Sequence, residues 1–322
     1  MTIVNKTLLT SVALSMLALP AAAQEAVTIN FAAEMDGAPF SCAETYPGIG
    51  SAGTEMSITD FRLFVHDAAL VRADGSLAPI DLEQDGQWQY DNVALLDFED
   101  GTAACSGSGN APTNTALRGT VEEGDYVGLA FTIGVPFEHN HVDTTVAPAP
   151  LNTTGMFWTW QSGFRFLQVN MARVVEPMAM DGMASDAPEA MADGAHAEDA
   201  GHGADAGHGE AGHGGHGGES PAWYLHLGST VCAAESQTEV PSSCANPNLV
   251  NVVFAAFDPA TNVVVFDPAP VVAEADMTIN APETAPGCMA FPGDADCITV
   301  MPKLGLPYDG NPAGTQVFAT VR

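Results

Sequence analysis

The chain has 322 residues, with 40 acidic side chains against 8 basic ones and a formal net charge of −32 at pH 7. So few Lys and Arg argue against nucleic acid as a partner, because phosphate binding needs cationic side chains. The acidity fits a solvated surface suited to salty surroundings, or attraction of cations or of a basic partner protein.

The N-terminus reads as a secretory leader. Lys6 supplies a positive start, Leu8 to Leu19 an apolar run, and Ala21-Ala22-Ala23 a small-residue cleavage site. Residues 1–23 are therefore expected to be removed, which leaves Gln24 first. The apolar run is too short to span a bilayer, and no other segment approaches membrane length. The mature protein, residues 24–322, is expected to be exported to the periplasm, soluble and without a membrane span. Its length suits one large β domain or two small ones.

From there the pattern is β-rich. Ala26 to Met35, Phe61 to Val71, Tyr126 to Val135, Phe164 to Ala172, Ala222 to Ser229 and Asn248 to Asp258 are rich in β-branched and aromatic residues, and several alternate with period two. Phe257 to Asp267 reads as a hairpin around Pro259-Ala260-Thr261-Asn262. Gly and Pro are plentiful between the runs, and no long helical period stands out. The expected fold is mainly β: an antiparallel, sandwich-like single domain with short helical turns.

Glu176 to Ser220 breaks the pattern. It holds Met178, Met180, Met183 and Met191, then His196, His202, His208, His213 and His216, among Gly, Ala, Asp and Glu. This low-complexity insertion cannot bury a core and is expected to be disordered. It interrupts what reads as a hairpin between Phe164–Ala172 and Ala222–Ser229. Its imidazoles and thioethers suit loose copper or nickel binding, and it equally suits a solubilising spacer.

Six cysteines, Cys42, Cys105, Cys232, Cys244, Cys288 and Cys297, occur without a CxxC. An even count in an exported chain favours disulfides over thiolate metal sites. Cys232/Cys244 and Cys288/Cys297 are close enough for local bridges, with Cys42/Cys105 closing the long loop, although spacing alone does not choose among the pairings.

Four histidines lie outside the tract: His66, His139, His141 and His226. His139 and His141 form an HxH pair in GVPFEHNHVD. His226 sits on a strand expected beside Phe164–Ala172, and so near Met156 and Trp158. His66 alternates with Asp60, Arg62 and Phe64, where Asp60 and Arg62 read as a structural polar cluster. Met156 and Trp158 would leave one face of an extended strand, together with Trp160. Singly, each of these residues also fits an ordinary packing role.

Taken together, DFRLFVHDAAL (Asp60 to Leu70), VALLDFEDGTAAC (Val93 to Cys105), GVPFEHNHVD (Gly134 to Asp143), APLNTTGMFWTWQSGFRFL (Ala149 to Leu167) and YLHLGSTVC (Tyr224 to Cys232) resemble the MbnP-like family, with WxW as the most specific piece. The resemblance implies an exported copper protein, not an enzyme, that serves copper homeostasis. It further implies a partner dihaem enzyme of the cytochrome c peroxidase/MauG type, which oxidises the first tryptophan of WxW, here Trp158, to kynurenine. The family copper site implies one Cu(I) held by one histidine, one methionine and a solvent ligand. Met156 is the candidate sulfur donor. His226 and His141, then His66, are the candidate imidazoles, with Trp160 a supporting residue. The alternatives are a metal buffer that uses only the His/Met tract, without tryptophan modification, or an exported structural β-sandwich.

Overall fold

Alternation builds the first strand. In Gln24–Met35 every second residue from Val27 is buried, Val27, Ile29, Phe31, Ala33 and Met35, so one face of the strand meets a core and the other meets water until Glu34, which is buried as well. The computed structural model describes residues 23–107, 111–159, 161–175, 220–236 and 239–322. The expected leader, apart from Ala23, lies outside these residues. So do Trp160 and the His/Met tract up to residue 219.

Two main sheets carry the molecule. The smaller runs in the order Ala319–Val321, Val264–Phe266, Gln24–Met35, Ala116–Glu122, Asp81–Leu82. The larger runs Val250–Phe254, Tyr126–Ile133, Thr54–Arg72, Leu167–Arg173, Ala222–Leu227, Gly287–Cys288. Between them lie Phe31, Phe266 and Phe318 from one side and Phe61 and Phe131 from the other. Ring centroids are 5.7 Å apart for Phe31–Phe266 and 6.0 Å for Phe31–Phe131. Burying each such side chain contributes about 1.5–3 kcal/mol. The remaining helical pieces are single turns, such as Phe137–Asn140 and Ala269–Val272. The protein is thus mainly β, as its sequence indicates.

Several details depart from the sequence-based expectation. The strand expected over Phe61–Val71 begins at Thr54 and ends at Arg72; Met56 and Ile58 continue the buried alternation between polar residues. Phe164–Ala172 is split, because Gly163–Phe164 pairs with Phe157–Thr159 while Leu167–Arg173 enters the large sheet. Phe257–Asp267 is not a hairpin. A turn closes where Asn262 N donates to Asp258 O at 2.8 Å, but the flanking strands part company. Val250–Phe254 pairs with Tyr126–Ile133 in the large sheet, and Val264–Phe266 pairs with Gln24–Met35 in the small one. Two pairings are parallel, Phe31↔Val264 and Tyr224↔Gly287 with their neighbours, so the sheets are not wholly antiparallel.

The interrupted hairpin is present: Leu167–Arg173 pairs antiparallel with Ala222–Leu227, from Leu167↔Leu227 to Ala172↔Ala222. The three disulfides are Cys42–Cys105, Cys232–Cys244 and Cys288–Cys297. No helix among the described residues is long and apolar enough to cross a membrane.

Candidate metal centre

The second face of the large sheet carries a polar row. Arg62 lies opposite Asp97 on one side and Gln168 on the other, and Gln168 lies opposite His226. Directly opposed positions project to one face, so Asp97, Arg62, Gln168 and His226 cross the sheet in line. Two residues along, Asp60, Asn170 and Tyr224 form a second line.

Most of this face is buried, and several of its polar groups hydrogen-bond one another. Asp60 accepts from Arg62 Nε at 2.8 Å, from Arg62 Nη2, and from Gln168 Nε2 at 2.5 Å. Arg165 Nη1 donates to Gln168 Oε1 at 2.8 Å and to Gly155 O at 2.9 Å. The Asp60–Arg62 pair therefore has the structural role its spacing suggests. Asp97 is different. It is buried, and no side chain hydrogen-bonds its carboxylate; the backbone of Glu99 gives it only a weak contact. Burial pushes its pKa up to about 8, with the Arg62 charge pulling the other way and Glu99 adding to the rise.

At the far end of the row stands His226, 5% exposed. Its Nε2 lies 2.6 Å from Asn170 Oδ1, and an amide oxygen can only accept, so the ring proton sits on Nε2. Nδ1 is then a lone pair, buried and without a partner. Burial, reinforced by the Arg165 charge, holds the ring far below the usual histidine range and keeps it neutral. Tyr224 stacks on it at 5.4 Å. A neutral imidazole with one nitrogen fixed by a hydrogen bond and the other vacant is the usual preparation of a metal-binding histidine.

Trp158 comes to this histidine on the short hairpin Phe157–Thr159/Gly163–Phe164. The hairpin is anchored by Phe164, whose ring packs on Phe157 at 5.1 Å and on Phe64 at 5.4 Å. The half-buried Trp158 ring lies 6.4 Å from His226 and 5.3 Å from Phe291. Gly228 makes room for it, since a Cβ there would meet Trp158 Cζ3 at 2.5 Å and Phe164 O at 2.7 Å.

Met156 is fully buried and ends the 3-10 turn Thr154–Met156, so it precedes the strand rather than belonging to it. Phe157 between the two residues is extended, with φ −117° and ψ 135°, so Met156 and Trp158 leave the chain on one side. Met156 O also accepts from Arg165 N at 2.7 Å, next to the polar row. A second thioether borders the same edge. Leu225 pairs with Cys288 in parallel register, so the half-buried Met289 follows alongside His226.

The other histidines are engaged elsewhere. His66 Nδ1 donates to Gly134 O at 2.9 Å and Nε2 lies 3.7 Å from Asp67; burial lowers its pKa. His139 Nε2 lies 2.8 Å from Asp91, whereas His141 Nε2 lies 3.6 Å from Cys244 Sγ. The HxH pair therefore does not converge on a common ion. Of the candidate imidazoles, the structure brings His226 against Trp158. Asn170, Met289 and Phe291 are additions that sequence reasoning missed. Asn170 was open to detection, because the hairpin it occupies places it two positions from Gln168, the partner of His226.

A model of the MbnP family matches residues 24–290. A solved structure, MbnP from Methylosinus trichosporium, is similar over 93% of this chain and 98% of its own, with 30% identity and a TM-score of 0.71. No curated protein matches this chain.

Proposed function

The chain belongs to the MbnP family, and from that premise we propose that it is an exported copper-binding protein of copper homeostasis rather than an enzyme. One Cu(I) is its cargo, held by His226 Nδ1, a thioether and solvent beside Trp158. A partner dihaem enzyme of the cytochrome c peroxidase/MauG type opens the Trp158 ring to kynurenine. The observation that carries this reading is the buried His226 ring with an unpartnered Nδ1, its centroid 6.4 Å from that of the half-buried Trp158 indole. Cu(I) is soft, and neutral imidazole and thioether donors suit it without adding charge.

The maturation chemistry explains the order of events. With peroxide as the oxidant at the partner's haems, two peroxides deliver two oxygens across the indole double bond and leave as two waters, giving N-formylkynurenine; hydrolysis by one water then releases formic acid. The product carries an aryl amine and a ketone where an apolar ring stood, and these polar groups can orient a ligand or a bound water. We place the sulfur with Met156, on the Trp158 side of Phe157. Met289, which follows the Leu225–Cys288 pair, is its competitor.

Peptide mass mapping with copper analysis tests the reading. Protein made together with the dihaem partner should gain one oxygen and lose one carbon at Trp158 and carry one copper; protein made alone should show neither. Copper bound stoichiometrically beside an unmodified Trp158 would refute it. Met156→Leu should lose the ion and Met289→Leu should keep it; the opposite result moves the sulfur donor to Met289. Asn170→Ala frees the His226 ring and should weaken Cu(I) binding by roughly 10–100-fold in chelator competition, the usual cost of losing such an outer partner.

A further inference from the structure

Cys232 and Cys244 oppose each other across the hairpin Thr230–Ala233/Ser243–Asn246 and are bridged. Both are half-buried, while Cys42, Cys105, Cys288 and Cys297 are buried. This disulfide is thus the accessible one, and an open cleft lined by Gln161, Ser162, Val231, Cys232, Ala234 and Ser236 reaches it. Behind it stands His141, 3% exposed, with Nε2 3.6 Å from Cys244 Sγ and 3.3 Å from Asn140 Nδ2. A ring nitrogen of His141 and the two sulfurs lie within 4.8 Å of one another.

Bonded to each other, the sulfurs have no thiolate to offer a metal. We propose that opening this disulfide creates a second soft-metal site, in which the Cys232 and Cys244 thiolates and His141 Nε2 hold a d10 cation, Cu(I) or Zn(II). The reductant is an external dithiol. One of its thiolates attacks a sulfur of the bridge, the Cys232–Cys244 bond breaks, and the dithiol closes to its own disulfide. Two electrons and two protons pass to the cysteines, and each thiol releases its proton when the cation binds. Three donors with the cleft in front leave a fourth position for solvent or for a ligand that delivers or removes the ion.

The site is separate from His226 and is joined to it by backbone. Asn140 Oδ1 accepts from Phe164 N at 2.9 Å, so the turn that presents His141 also braces the Trp158 hairpin. The two hairpins meet where Gln161 and Ser162 line the cleft with Cys232.

The full-length protein, oxidised or opened with dithiothreitol under native conditions, is titrated with Zn(II) and with Cu(I) against a chromophoric chelator. Alkylation should label Cys232 and Cys244 and spare the other four cysteines. The opened protein should bind one more equivalent of the cation than the oxidised protein; the His/Met tract is common to both and cancels. His141→Gln should weaken that added equivalent by roughly tenfold or more, with the same two cysteines labelled. In Trp158→Phe protein the added equivalent should persist, which separates this site from the copper site proposed above. Equal binding before and after reduction, unchanged affinity in His141→Gln, or a bridge that resists dithiothreitol until the protein unfolds would overturn the proposal.

Discussion

Trp158→Phe protein, made together with the dihaem partner, should emerge with copper at background level, while the wild type carries one ion. Phenylalanine keeps the apolar contact with Phe291 but cannot become an aryl amine and ketone. Purified protein is dialysed against a Cu(I) chelator, and the metal that remains is measured by elemental analysis. Near-ultraviolet circular dichroism controls for folding, since the hairpin retains Phe157 and Phe164 on Phe64. Full retention of copper by the variant would show that an opened ring at position 158 is not needed. His226 would then bind through its Nδ1 and the thioether alone.

Asp97 provides the second large effect, in stability. An aspartate in the unfolded chain loses its proton near pH 4, whereas in the folded protein it does so at about 8. Between those values the folded state holds the extra proton, so stability falls as pH rises and the loss is complete above the folded pKa. Below the unfolded pKa both states are protonated and the penalty vanishes. The upper limit across the window is on the order of 5 kcal/mol, reduced in practice by relaxation and water entry. Asp97→Asn should match the wild type near pH 4 and exceed it above pH 8. At that scale the gap in melting temperature is roughly 10 °C for a domain of this size. Thermal scans of both proteins across pH isolate the contribution, since other titrating groups are shared. A constant gap between the two curves from pH 4 to 9 would mean that the carboxyl ionises normally.

Much of the sheet framework was legible because period-two alternation is a direct imprint of a half-buried strand. Val27 to Ala33 within Gln24–Met35 is the instance. The pairing of Leu167–Arg173 with Ala222–Leu227 was legible despite the low-complexity sequence between them, and that pairing leads from Trp158 to His226. Other parts left no imprint. Gly287–Cys288 is two residues long, too short for any period, yet it brings Met289 and Phe291 to the site. The polar row from Asp97 to His226 depends on register across four strands, which no single segment encodes. The Asp258–Asn262 turn looked like the tip of a hairpin because turn chemistry is local. Which sheet receives the next strand is decided by the distant partners Phe31 and Val321.

The joined ends of the interrupted hairpin have an evolutionary consequence. Ala172 lies opposite Ala222, and Arg173 N donates to Pro221 O at 2.8 Å, so the ladder is already closed where the two strands diverge. The entropy of closing a loop grows only with the logarithm of its length, about 0.6 kcal/mol per doubling. Repeats can accumulate or be lost at that junction across generations while the sheet beneath keeps its register. Lineages could thus vary their histidine content freely without disturbing the imidazole that Asn170 holds in place.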